Sequence, residues 1–407
     1  MKKLTLKKIS AIGLFTSAMC LHIACQHTKS TATTANATTA VSSPATPPTK
    51  PAHWVALMHD LDNSLSILLP LTQQPQTFAD SKNQKVIHEQ VVVLADLAKT
   101  LKTQKPPDQD PAITLISEQF EEDIRQAVSA IDNGHPEYAR HLLKNSTSYC
   151  IQCHTRNSLG PHFAGGKLTE TASGMSPLDR GEYLAATRQF DLALKEYQGV
   201  LKNSKNIVEW DRAAHNALAV SVRYLGNPDQ SLQTVDIILN SKTVPLYLHE
   251  NAKQWRQSIL SWQKESKTKT THLSSQALKN LKSASQLIQR AQKMQKYPSD
   301  HSADIEYLRA SALLHDALGN GLTGKDKSEA LYLAGICYDS IRDLSMWNLN
   351  EKYFELCIRN TPHTELAKKC FRKYEESVFV GFMGGQNLLL PPEVQKKLLE
   401  LKTMAGQ

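Results

Sequence analysis

Apolar residues recur along this chain at intervals of three and four, and almost nowhere at the alternating spacing of a half-buried strand. Four such stripes follow one another early on. The first runs through Trp54, Met58, Leu61, Leu65 and Leu68, and the second through Ile87, Val91, Leu94, Ala98 and Leu101. The third runs through Ile113, Ile116, Phe120, Ile124, Ala127 and Ile131, and the fourth carries Tyr138, Leu142, Tyr149 and Cys153 with one double step. A repeat near 3.6 residues puts each set on one side of a helix and commits the segment to an amphipathic helix. Pro70 and Pro75, then Pro106, Pro107 and Pro111, then Asn133-Gly134-His135-Pro136 mark the turns between them. The expected fold class is therefore all-α. Helices joined this closely pack antiparallel, so residues 53–163 are expected to form a four-helix bundle.

The last stripe ends in Cys150-Ile151-Gln152-Cys153-His154. Cys-x-x-Cys-His is the attachment pattern of c-type haem. On a helix the two sulfurs share a face, where both can form thioethers, and His154 then presents an imidazole to the iron. A zinc site would need a second ligand pair, and the chain has no other Cys-x-x-Cys. A thioredoxin-like redox pair would need a βαβ setting, which the helical pattern does not offer. One covalent haem c is expected, on Cys150 and Cys153, with His154 as proximal iron ligand.

With these stripes and this pentapeptide, residues 53–163 resemble the class II c-type cytochromes, the cytochrome c′ group. The resemblance covers about a quarter of the chain, and only the pentapeptide is a sharp motif. It implies a haem inside the bundle. Low-spin members place a methionine near the start of the first helix as sixth ligand, and Met58-x-x-Leu61-x-x-x-Leu65 resembles that pattern. Met58 as sixth ligand gives a six-coordinate electron-transfer haem; Met58 as a packing residue leaves a five-coordinate iron open to NO or CO. Both stay open here. His59 falls on a face with Asp62, Asn63 and Ser66 and is expected to be solvated. His53, His88, His141 and His162 are weaker ligand candidates.

Residues 1–24 read as an export signal: Lys2, Lys3, Lys7 and Lys8, then an apolar run too short to span a bilayer. Removing those four lysines lowers the formal charge from +8 to +4, too mild to argue for nucleic acid. Ala24-Cys25 resembles a bacterial lipoprotein cleavage site, although His22 stands where an aliphatic residue is usual. That resemblance implies a lipid on Cys25 and, with Gln26 following rather than Asp, the outer membrane as destination. Ordinary cleavage with Cys25 left as a thiol is the alternative. Residues 25–52, rich in Thr, Ala, Ser and Pro, cannot bury enough apolar surface to fold and read as a disordered tether spanning roughly 30 Å.

Residues 164–407 read as helical hairpins. Gly181-x-x-Leu184, then Phe190, Ala193, Tyr197 and Val200, resemble a tetratricopeptide repeat. Weaker copies run from Ala219 through Gly226, Ser231 and Val235 to Ile238, and through Gly335, Tyr338, Phe354 and Pro362, the last with an insertion near Leu344–Trp347. A TPR-like domain implies a concave surface that binds proteins; a generic all-α domain is the other reading. From Asn251 to Tyr297 ten Lys and Arg residues stand against Glu265 alone, a basic dock for an acidic partner or a merely solvated face. Gly319–Lys325 matches a phosphate-loop pattern, but a helical stripe precedes it and Asp326 follows the lysine, so it reads as an interhelix loop. Of the remaining cysteines, Cys357 and Cys370 flank one turn near Asn360–Pro362, and an oxidising compartment permits a disulfide there.

Together these readings predict a lipid-tethered, periplasm-facing monohaem cytochrome that transfers single electrons to or from a redox partner in the envelope. The helical domain would dock that partner. A haem-containing interaction scaffold and a gas-binding protein are the alternatives; no catalytic acid or base is expected beside the haem, and an enzyme is not favoured.

Overall fold

The structure is a computed structural model that describes residues 52–104, 110–156, 173–267, 276–297, 299–341, 348–382 and 390–407. The signal segment, Cys25 and the tether lie outside the described residues, as do the glycines at 160, 165 and 166 and the insertion at 344–347. Every regular element among the described residues is helical.

The N-terminal stripes become α1 (Ala52–Thr72), α3 (Ser81–Thr103) and α4 (Pro111–Asp132), with a one-turn α2 (Pro75–Ala79) between the first two. Ile87, Val91, Leu94 and Ala98 are all fully buried, as their 4-3-4 spacing requires. Two aspartates cap these helices on their own orphan amides: Asp80 accepts from Lys82 N and Asp110 from Ala112 N, both at 3.0 Å. Helix α1 packs on α3, and α3 on α4.

Two local expectations are corrected. Pro70 does not end α1, which runs on to Thr72. A proline this close to the C-terminus disturbs a single turn, and Thr72 Oγ1 and Gln73 Nε2 both donate to the Leu69 carbonyl at 2.8 and 3.1 Å. The fourth stripe is two helices, α5 (Pro136–Asn145) and α6 (Thr147–His154). Ser146 bonds back to Leu143 O at 2.7 Å, and the register resets there. This break accounts for the double step between Leu142 and Tyr149 and leaves Tyr138 half exposed, at 51%. Helix α5 packs on α1 and α4, while α6 packs on α4.

Beyond residue 172 come α7 (Pro177–Ala186), α8 (Phe190–Asn203), α9 (Ile207–Leu218), α10 (Pro228–Asn240), α11 (Leu246–Lys267), α12 (Gln276–Met294), α13 (Asp304–Gly319), α14 (Gly324–Ser340), α15 (Leu349–Asn360), α16 (Glu365–Phe382) and α17 (Pro392–Ala405). Each packs chiefly on a chain neighbour. The glycines of the repeat-like segments mark the closest approaches. A Cβ on Gly181 would stand 2.7 Å from Tyr197 Cε1, and one on Gly335 would clash with the Phe354 ring. Cys357 and Cys370 are joined by a disulfide from α15 to α16, across the Asn360–Pro362 turn. Gly319–Lys325 is an interhelix turn entering α14.

One irregularity matters for the site. After α9 the chain winds into a π-helical segment, Ala219–Tyr224, in which Leu225 N bonds to Val220 O five residues back. Such segments re-aim side chains. Here Arg223 is carried into the interior, 5% exposed. The helices on both sides of residues 157–172 belong to one unit, 50–407, and α7 packs directly on α6. No described helix is long and apolar enough to cross a membrane.

Candidate functional site

Cys150, Cys153 and His154 stand at positions i, i+3 and i+4 of α6 and therefore share a face. That face opens into a cavity whose empty space, open mouth included, is about 930 Å³. Trp54, Met58, Leu61 and Leu65 of α1 line it, with Leu101 of α3, Ile116 and Phe120 of α4, and Tyr183 and Thr187 of α7. The structure thus brings together all four residues singled out for the haem. His53, His88 and His141 are not among the lining residues, and His162 lies outside the described ones.

The two cysteines are not bonded to each other. Burial pushes the Cys150 thiol up to about 12, with Cys153 and Asp62 adding to the effect. A dithiol that exchanges disulfides works through an acidic thiolate, so this pair is tuned away from that chemistry.

His154 is 9% exposed, and its Nδ1 lies 2.6 Å from the carbonyl oxygen of Ala186. A carbonyl only accepts, so Nδ1 carries the proton and donates. The lone pair then resides on Nε2, the tautomer an iron-binding histidine needs. The partner follows from local structure. Ala186 is the last residue of α7, where carbonyls lose their intrahelical donors. The amides that follow reach past it: Thr187 N bonds to Tyr183 O, Arg188 N to Ala185 O and Gln189 N to Leu184 O.

One polar group inside the cavity was not expected. Asp62, one turn after Met58, shares a helix face with His59 by spacing, yet it lines the cavity. Burial raises its carboxyl above the ordinary range, opposed by Tyr183, whose hydroxyl donates to Oδ1 at 3.4 Å. His59 itself is exposed. A position four residues from a cavity-facing Met58 was the available signal for Asp62; the Ala186 carbonyl, a backbone atom, left none.

The opposite face of α6 is pinned from behind. Gln152, Thr155 and Arg156 point into a buried polar network with Asp110, Arg223, His315, Tyr338 and Tyr353. Arg223 Nη2 donates to Thr155 Oγ1 at 2.7 Å and to Gln152 Oε1 at 3.1 Å. Arg156 Nη1 reaches His315 Nε2 and Tyr353 Oη, each at 3.1 Å, and its guanidinium lies 4.7 Å from the centre of the Tyr338 ring. His315 Nδ1 lies 2.6 Å from Asp110 Oδ2. The motif helix is therefore held between a cavity in front and a network of buried charge behind.

The donor set suits a covalently attached haem. Two sulfurs outside any disulfide and an imidazole with its lone pair on Nε2 share a largely apolar cavity, and a methionine belongs to the same lining. No family model matches the chain, and no curated protein and no solved structure matches it.

Proposed function

We propose that this chain is a monohaem c-type cytochrome of the cell envelope that transfers single electrons, with a haem bundle resembling cytochrome c′ followed by TPR-like hairpins. The observation that carries the reading is the cavity shared by Cys150, Cys153, His154 and Met58, with His154 oriented by the Ala186 carbonyl. Bound there, haem c supplies a one-electron couple at its iron. Cys150 and Cys153 would hold the group through thioethers, His154 and Met58 would be its iron ligands, and the apolar lining would exclude water. Export, a lipid on Cys25 and the 25–52 tether would hang the protein from the outer membrane. The hairpins, with their basic 251–297 stretch, would dock an acidic redox partner.

A second reading rests on Asp62 and Tyr183. This polar pair in a largely apolar cavity would offer hydrogen bonds to a small ligand such as NO or CO. One experiment tests both. Protein matured in a host competent for c-type cytochrome assembly should be coloured, low-spin in both oxidation states and inert to CO, and Met58→Ala should turn high-spin and bind CO. Wild-type protein that is high-spin and binds CO promptly supports the gas-binding reading. A colourless product with unmodified Cys150 and Cys153 refutes both.

A further inference from the structure

Away from the haem cavity, three ligand-type side chains converge in the interior. His215 lies in the last turn of α9, His301 opens the short 3-10 turn His301–Ala303, and Asp304 begins α13. His215 and Asp304 are 4% and 2% exposed. His215 Nε2 lies 3.3 Å from Asp304 Oδ2, and His301 Nδ1 lies 3.3 Å from the same oxygen. All three donor atoms fall within 4.8 Å of one another.

Hydrogen bonding accounts for part of this cluster, since His301 Nδ1 also lies 3.3 Å from Asp304 Oδ1, but it leaves two buried atoms over. Neither His215 Nε2 nor Asp304 Oδ2 has a hydrogen-bond partner, although both are buried. Orphaned buried polar atoms are few in folded proteins and each has a cause, of which a bound ion is one. Ligands about 2.0 Å from a tetrahedral ion stand about 3.3 Å apart along each edge of the tetrahedron, the separation found on two of the three edges here. The third edge, up to 4.8 Å, closes with a modest rotation of His301, whose side chain is 20% exposed. The surroundings also suit the ion. Trp255, fully buried, donates its Nε1–H to the His301 carbonyl at 2.7 Å and packs edge-on against His215, fixing both elements. Asp211, one turn before His215 on α9, keeps Oδ1 buried without a partner and supplies a second negative charge nearby.

We propose that His215, His301 and Asp304 bind a divalent transition-metal ion, with Zn²⁺ the best match to two imidazoles and one carboxylate, as a structural staple joining α9 to the α12–α13 connection. Two imidazoles disfavour the hard cations Ca²⁺ and Mg²⁺, which take oxygen ligands. The ligands follow the short-spacer-plus-distant pattern, 301 and 304 adjacent in sequence and 215 remote.

The test uses the haem-loaded full chain without a histidine tag, stripped with a chelator and titrated with Zn²⁺ by calorimetry. One Zn²⁺ per chain is expected, with Ca²⁺ and Mg²⁺ silent at the same concentration. His301→Ala, the least buried of the three ligand positions, should lose at least ~100-fold in affinity, beyond the ~10–100-fold typical of residues that only orient a ligand. Its circular dichroism and haem spectrum should stay unchanged. Asp304→Asn should behave likewise where it folds. Failure of the folded, stripped chain to bind Zn²⁺, binding retained in His301→Ala, or equal binding of Ca²⁺ overturns the proposal. None of these outcomes depends on the iron's ligands.

Discussion

The buried histidine behind the motif helix makes a quantitative prediction. His315 Nε2 receives Arg156 Nη1 at 3.1 Å and the Tyr338 hydroxyl at 2.5 Å. A guanidinium can only donate, so Nε2 must be an acceptor, and the proton sits on Nδ1, which donates to Asp110. The imidazole is therefore neutral. Protonating it would set an N–H against a guanidinium N–H in a site where His315 is 2% exposed. Burial lowers its pKa from the ordinary 6.5 to about 4, against the pull of Asp110, with Arg156 and Arg223 adding to the lowering. The unfolded chain thus takes up a proton near pH 6.5 that the folded chain refuses until about pH 4. Stability from this group is full above 6.5 and falls as pH drops through that interval. At about 1.4 kcal/mol for each tenfold change in proton affinity, the whole interval is worth about 3 kcal/mol, of which about 2 is lost by pH 5. The assay is urea unfolding of wild type and His315→Gln at pH 7, 6 and 5, followed by circular dichroism. The advantage of wild type over the variant should shrink by about 2 kcal/mol across that range. His215, whose pKa is raised despite burial by Asp304, acts with the opposite sign, but it is common to both proteins and cancels in the difference. An advantage that stays constant or grows as the pH falls would mean that His315 already carries two protons at neutral pH, and the neutral-imidazole argument would be wrong.

Two further predictions concern the hairpins. Gly335→Ala drives a methyl into the buried ring of Phe354, and the ~1–3 kcal/mol cost of overpacking exceeds the ~1 kcal/mol gain in helix propensity. Thermal unfolding should show net destabilisation, whereas Gly199→Ala, with nothing within 4 Å of the new Cβ, should stabilise by up to ~1 kcal/mol. The Cys357–Cys370 bridge closes a loop with a sequence separation of 13, so the Cys357→Ser/Cys370→Ser double variant should lose about 3 kcal/mol in urea unfolding. A double variant as stable as wild type would show that the bridge contributes nothing.

Much of this architecture can be read from periodicity. The stripes of α1, α3 and α4 place Leu61, Ile87, Val91, Ile116 and Phe120 inside, and the glycine–aromatic pairs of the repeat-like segments, Gly181 with Tyr197 and Gly335 with Phe354, are the contacts that spacing implies. Local backbone chemistry escaped it. Pro70 is tolerated because it falls in the final turn of α1, and Ser146 splits one apparent stripe into two helices. The site residues divide the same way. Cys150, Cys153, His154 and Met58 lie on local patterns, whereas the network behind them joins Arg156 to His315 and Tyr353 across 159 and 197 residues, separations at which no periodicity carries a signal. His215 and Asp304 escaped notice for the same reason.

The boundary expected near residue 163 also changes meaning. A helical domain that only docked a partner could be moved without altering the chemistry of the site. Here α7 supplies Tyr183 and Thr187 to the cavity lining and the carbonyl that orients His154, while Arg223, His315 and Tyr338 brace α6 from behind. In the proposed haem reading this arrangement tunes the iron in two opposing directions. Donation from His154 Nδ1–H into a helix C-terminus, where the backbone dipole is negative, makes the imidazole a stronger donor and favours the oxidised metal. A methionine ligand and an apolar lining favour the reduced metal. In that reading the potential is the balance between α7 and α1.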